Sequence, residues 1–129
     1  MSSRKKSAAV KIALTQRAVD DLHHIERFSI REWGRKATEK YLDEIASALN
    51  RLQKSPEILR LEPDFVPGLY FYRVKKHYLV CDFQGEVVTI LTIIHTSMDV
   101  PARLLELEPR LAAEVQFLQS KLRETPERQ

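Results

Sequence analysis

The sequence predicts an α+β fold, in which an N-terminal strand and an α-helical hairpin pack on an antiparallel β-sheet and a C-terminal helical extension follows. Three observations carry this. Two apolar stripes at helical spacing occupy residues 16 to 54; three segments rich in aromatic and β-branched residues lie between 69 and 95, joined by two-residue connections; and an amphipathic stretch runs from Leu111 to Leu122.

The elements follow in order. "AAVKIAL" at 8 to 14 is short and apolar, and Thr15 behind it is a good N-cap for a helix opening at Gln16 or Arg17. Val19, Leu22, Ile25 and Phe28 then recur at helical spacing until Gly34 ends the run after Trp33. A second helix begins at once, with Ala37, Tyr41, Ile45, Ala48 and Leu52 on one face, and Ser55-Pro56 stops it. The minimal connection implies an αα-hairpin whose shared apolar face needs a cover. "LYFYRV", "HYLVCDF" and "EVVTILTIIH" provide one as three strands. Their connections, Lys75-Lys76 and Gln84-Gly85, are short enough for an antiparallel meander, and the last strand, apolar on both faces, is expected at the centre. "SPEILRLEPDFVPG", with three prolines and a glycine, reads as a surface loop. After "MDVP" the chain turns helical again, with Pro101 in the first turn and Pro109 opening a further segment.

A chain of 129 residues with 43% hydrophobic and 30% charged residues is the size of one ordinary domain, so residues 1–129 are expected to form one unit. No apolar run approaches the roughly 20 residues needed to cross a bilayer, and "MSSRKKSAAVKIAL" is a poor secretory signal, so a soluble cytoplasmic protein without membrane contact is expected. Cys81 has no second cysteine to pair with, which excludes a disulfide or a thiolate zinc cage within the chain. The net charge is only +3, but "RKK" at 4 to 6 and "RVKKH" at 73 to 77 are locally basic, against an acidic "LELEP" at 105 to 109. His23 and His24 in "DDLHHIE" are neighbours about 100° apart around a helix and do not converge as an i, i+4 pair would. A solvated helix face is expected there, with no metal and no cofactor.

The order β, α, α, β, β, β, with a basic segment in the meander, resembles the RelE/ParE superfamily of bacterial type II toxins over residues 10–105. "AVDDLHHIERFSIREWG" is similar to the family's first helix, "PGLYFYRVKKHYLVCDF" to its central hairpin, and "VVTILTIIHTSMDVPARLL" to its last strand and exit. The helical extension, residues 106–124, lies past the compact family core and could pack on the chain itself, on a second copy to give a homodimer, or on a partner. The resemblance implies neutralisation by a cognate antitoxin that wraps around the toxin. It also implies one of two targets: RelE-like members cut mRNA on the ribosome, whereas ParE-like members interfere with DNA gyrase and are not known as nucleases.

Cleavage of RNA by 2′-hydroxyl attack needs a base, an acid and cations for the crowded phosphorane. If the chain is RelE-like, Arg73, His77 and His95 are the catalytic candidates, with Lys75 and Lys76 beside them as cations. The plainer reading makes Lys75-Lys76 a charged hairpin tip. Arg73, Lys75 and Lys76 are also candidates for binding nucleic acid or an acidic antitoxin segment. Alternation leaves open whether Arg73 shares a buried face with Phe71 or an exposed one. His95, with an unperturbed pKa of about 6.5, suits acid or base work. RelE-like nucleases that use a histidine here place a tyrosine beside it, yet Thr96 follows His95, and "KKHYLV" lacks the arginine common in their corresponding strand. "HTSMDVP" resembles the ParE-like exit instead. There Asp99 caps a helix opening at Pro101, and His95 helps hold the turn. The leading reading is therefore a ParE-like toxin acting on gyrase. The alternatives are a RelE-like ribosome-dependent endoribonuclease and an inactive binding module with the same fold.

Overall fold

The computed structural model describes residues 9–62, 66 and 68–124. The order is β1 (Lys11–Leu14), α1 (Gln16–Trp33), α2 (Arg35–Lys54), a 3-10 turn (Pro56–Ile58), β2 (Arg60–Leu61), β3 (Tyr70–Val74), β4 (His77–Gln84), β5 (Val87–His95) and α3 (Val100–Glu124). The strands form one mixed sheet in the order β1-β5-β4-β3-β2, with β1 parallel to β5 and the other neighbours antiparallel. The fold is the α+β one that the patterning predicts.

Single residues set the helix boundaries. Thr15 caps α1, its hydroxyl accepting the Ala18 N–H at 3.0 Å. Gly34 alone separates α1 from α2; its φ of 91° is one that a side chain resists, and its N–H closes onto the Ile30 carbonyl. The hairpin lays Ala18, Ile45, Ala48 and Leu52 on one face of the sheet against Leu79, Val88 and Ile90. Ala37 is exposed, because the face that α2 buries runs through Thr38, whose hydroxyl donates to the Gly34 carbonyl at 2.8 Å. Phe28 also departs from the expected core stripe: it is 48% exposed, while the neighbouring Ser29 is buried in its place.

The opposite face is covered as well. Phe71, Val80, Leu91 and Ile94 pack beneath Val100, Leu104 and Leu107 of α3. Full burial of Phe71 alone stabilises the fold by about 2 kcal/mol. Coverage of both faces is why β5 is buried without interruption from Val88 to Ile94. β5 is internal, yet β4 holds the middle position of the five, because β1 adds beside β5 and the short β2 adds beyond β3. That two-residue β2 arises in the segment expected to be a loop, and the second hairpin turn is Gly85-Glu86, one residue later than expected. α3 is one continuous helix through Pro109, which does not open a new segment. The missing Pro109 N–H costs one hydrogen bond, while Leu104, Leu107 and Val115 pack the same cluster on both sides of it. The Leu111 and Leu122 side chains lie outside the described ones.

Within β5 the pairing passes from Val80↔Thr92 to Cys81↔Ile90, so Leu91 is an added residue. This bulge shifts the alternation: Val88, Ile90 and Ile93 face the helical hairpin, while Leu91 and Ile94 face α3. α1 supplies partners for the disturbed backbone. The Thr15 hydroxyl donates to the Leu91 carbonyl at 2.7 Å, and the Asp21 carboxylate accepts the Ile93 N–H at 2.9 Å and the Thr92 hydroxyl at 2.5 Å. Asp21 is thus committed to the sheet, whereas His23 and His24 of the same segment are exposed.

Candidate functional site at the strand ends

The β3–β4 turn and the end of β5 bring the candidate residues together. Val74 pairs with His77, and His77 with His95, so both histidines leave the sheet on the side of the helical hairpin. Lys75 adopts a φ of 54° in the tight turn between them. Tyr41 of α2 holds that turn: its hydroxyl accepts the Lys76 N–H at 3.1 Å and lies 2.7 Å from His77 Nδ1, but 3.4 Å from the Val74 carbonyl. The shorter separation directs the phenolic proton to His77 Nδ1, which accepts it, so the single ring proton of His77 is on Nε2. Burial first, and the neighbouring His95 second, lower the pKa of His77 to about 4, so the ring is neutral at neutral pH. Burial also raises the pKa of Tyr41, against the opposing Lys76 hydrogen bond and the Arg73 charge.

His95 stands edge-on to His77, with ring centroids 5.0 Å apart at 84°. Its Nδ1 accepts the Ser97 N–H at 3.1 Å and lies 2.8 Å from the Ser97 hydroxyl. The Thr96 N–H reaches the Lys76 carbonyl at 2.9 Å and the Met98 N–H reaches the His95 carbonyl at 3.0 Å. Asp99 follows, its carboxylate accepting the Ala102 N–H at 3.2 Å, and Pro101 occupies the first turn of α3, where an N–H has no intrahelical acceptor. In both rings, then, the Nδ1 lone pair is engaged and Nε2 carries a proton. A group so arranged donates a hydrogen bond, and it lacks the free lone pair that a general base presents.

Arg73 leaves β3 on the other face. It shares that face with the buried Phe71 yet is itself exposed, because it sits at the strand end and folds back over the turn, Nε donating to the Lys75 carbonyl at 2.8 Å. Of the two alternatives drawn from alternation, Phe71 is core as in the first, yet Arg73 is exposed as in the second. Lys75 is exposed at the turn, and of the three basic candidates only Lys76 lines the cleft that His77 and His95 share. The basic run at 4 to 6 lies outside the described residues.

That cleft has a volume of about 290 Å³. Ile25 and Ile93 line its interior, Phe28, Trp33 and Met98 stand around it, and Arg103 reaches it from α3. Phe28 and Trp33 meet edge to face at 6.0 Å. Sequence reasoning missed Tyr41, Trp33 and Met98 as site residues. The signal available was Trp33 itself, a large aromatic at the last position before the helix-ending Gly34.

The family model for the ParE toxin of the type II toxin-antitoxin system, parDE, matches residues 12–100. The chain belongs to the ParE toxin family. It is 30% identical over 94 residues to Toxin ParE of Escherichia coli, across 72% of this chain and 91% of that relative. To Toxin ParE3 of Caulobacter vibrioides it is likewise 30% identical over 94 residues, across 73% of this chain and 94% of the relative. A solved chain described as "Chromosomal ParDE TA system from P. aeruginosa" shares the fold, with a TM-score of 0.60 at 21% identity over 69% of this chain and 98% of that one.

As a ParE-family toxin, the chain carries Tyr41, Arg73, His77 and His95 within the matched span, which closes at the first residue of α3. α3 therefore lies almost wholly beyond the family match, and so does Arg103. Among the described residues no three histidine, cysteine or acidic side chains converge as a metal site would require, and no helix is long and apolar enough to cross a membrane.

Proposed function

We propose that this ParE-family toxin acts by protein contact on DNA gyrase and is held inactive by a cognate antitoxin. The observation that carries the reading is the His95 Nδ1 contact with the Ser97 N–H. It employs the imidazole in the strand-to-helix turn, beside an Asp99 cap, where a nuclease would keep a base available. His77 is similarly tied to Tyr41, and Arg73 folds its side chain back onto the Lys75 carbonyl, so each candidate is engaged in holding the turns at the strand ends. The choice of gyrase rests on the ParE-like "HTSMDVP" exit and the family membership. The RelE-like ribosomal endoribonuclease and the inactive binding module are the competing readings.

Inducible expression tests the antitoxin part. The chain should arrest growth, and co-expression of the small protein encoded beside it should restore growth and co-purify with the chain. Arrest that this neighbour does not relieve would contradict neutralisation, and absence of arrest would favour the binding module.

A further inference from the structure

Large apolar side chains left in water tend to mark contact sites when they gather in one place. Phe28, Trp33 and Met98 are 48%, 56% and 47% exposed, and they come from two separate segments to stand around the same cleft. Its interior is branched and aliphatic, from Ile25 and Ile93. Its cations outnumber its carboxylates. Lys76 and Arg103 are at the lining, Arg31 lies over the Phe28 ring at 5.9 Å, and the one carboxylate of the lining, Asp21, already holds Thr92 and Ile93. Arg103 binds Glu106 through a single nitrogen at 3.1 Å, which leaves further donors of its guanidinium available.

A complementary ligand places an apolar side chain inside and carboxylates at the mouth. We infer that this cleft docks a protein segment in which one aromatic or branched aliphatic anchor is flanked by aspartate or glutamate. On the reading proposed above, that segment belongs to the antitoxin. A single-stranded nucleic acid fits less well. Bases need ring faces to stack on and cations that track a backbone, whereas Phe28 and Trp33 cross at 89° and the cations sit around an aliphatic hollow. The volume of about 290 Å³ suits one or two side chains, near the lower end of pockets that bind a whole small molecule.

Trp33 is the chain's one tryptophan, so its emission reports occupancy of the cleft directly. The probe is a blocked decapeptide with a Leu-Phe pair between runs of glutamate; the controls are its Glu→Gln form, its Ala-Ala form and a dodecameric oligouridylate. The acidic Leu-Phe peptide should shift Trp33 emission to the blue saturably. Each peptide control should bind about tenfold more weakly, and Lys76→Glu or Met98→Glu, both at exposed positions, should weaken the acidic peptide by about the same factor. No saturable shift, equal binding of all three peptides, or preferential binding of the RNA overturns the proposal. Co-expression separates the two readings. An antitoxin that neutralises the parent chain but not Met98→Glu identifies the occupant. One that neutralises both overturns the assignment of the cleft while leaving the antitoxin reading intact. Peptide binding without any neutralising neighbour removes the antitoxin and keeps the cleft.

Discussion

The Asp21 carboxylate on α1 accepts the Ile93 backbone N–H at 2.9 Å, a contact across 72 positions of chain that docks the first helix on the bulge of β5. Thr15 completes the attachment from the helix N-terminus through the Leu91 carbonyl. A bulge leaves backbone groups out of the ladder, and buried ones need partners. Here both partners come from one helix.

Asp21→Ala leaves the Ile93 N–H and the Thr92 hydroxyl without their acceptor and should cost about 3 kcal/mol, whereas Asp21→Asn keeps an acceptor oxygen and should cost about 1 kcal/mol. Thr15→Ala loses the helix cap and the Leu91 contact together, about 2 kcal/mol. Urea unfolding of the single and double variants measures this, and the two losses should couple because both groups serve one bulge.

The role of α3 in the fold can be checked along a single helix. Leu104 is 4% exposed between Val100 and Leu107, and Leu104→Ala should destabilise by about 2–4 kcal/mol. Leu105, one residue on and exposed, should tolerate alanine within about 0.5 kcal/mol. Equal effects would mean that α3 does not pack on the Phe71 face.

His77 makes stability depend on pH. Its folded pKa, about 4, is below the unfolded value of about 6.5, so between these values the unfolded chain binds a proton that the folded chain refuses. His77 therefore contributes stability that is present above about pH 6.5 and is lost as pH falls toward 4. His77→Gln keeps an acceptor for Tyr41 without the titration. The difference in urea midpoint between parent and variant, measured at pH 7 and pH 5, should shift in favour of the variant at the lower pH.

Much of this was legible in the sequence because local chemistry decided it. Thr15 and Gly34 mark helix ends by properties no neighbour overrides, and "KK" between two aromatic-rich apolar runs leaves room only for a tight turn. What was not legible depends on long-range pairing. A run as nearly continuous in β-branched residues as Val87 to Ile94 has no period in which a bulge at Leu91 stands out, and without the bulge nothing marks Asp21 in "DDLHHIE" as an acceptor. Phe28 continues the α1 stripe so regularly that nothing local marks its exposure or the burial of Ser29 beside it. Arg73 was ambiguous because its strand is covered along one part of a face and open at the other.

Cys81 should be inert. Burial, and secondarily Asp82, raise its thiol far above the usual range, and the side chain is fully enclosed. Labelling by an aromatic disulfide reagent should proceed at the rate of unfolding in native buffer and at once in guanidinium. Rapid labelling of the folded chain would contradict the packing around β4.

The most direct test of the functional account sets the purified chain against two targets: DNA gyrase with relaxed plasmid and ATP, and translating ribosomes with a defined mRNA. Supercoiling should be inhibited and the mRNA should stay intact, for both the parent chain and His95→Gln, which preserves a polar group in the turn. Cleavage of the mRNA by the parent chain, abolished in His95→Gln while gyrase works unhindered, would contradict it.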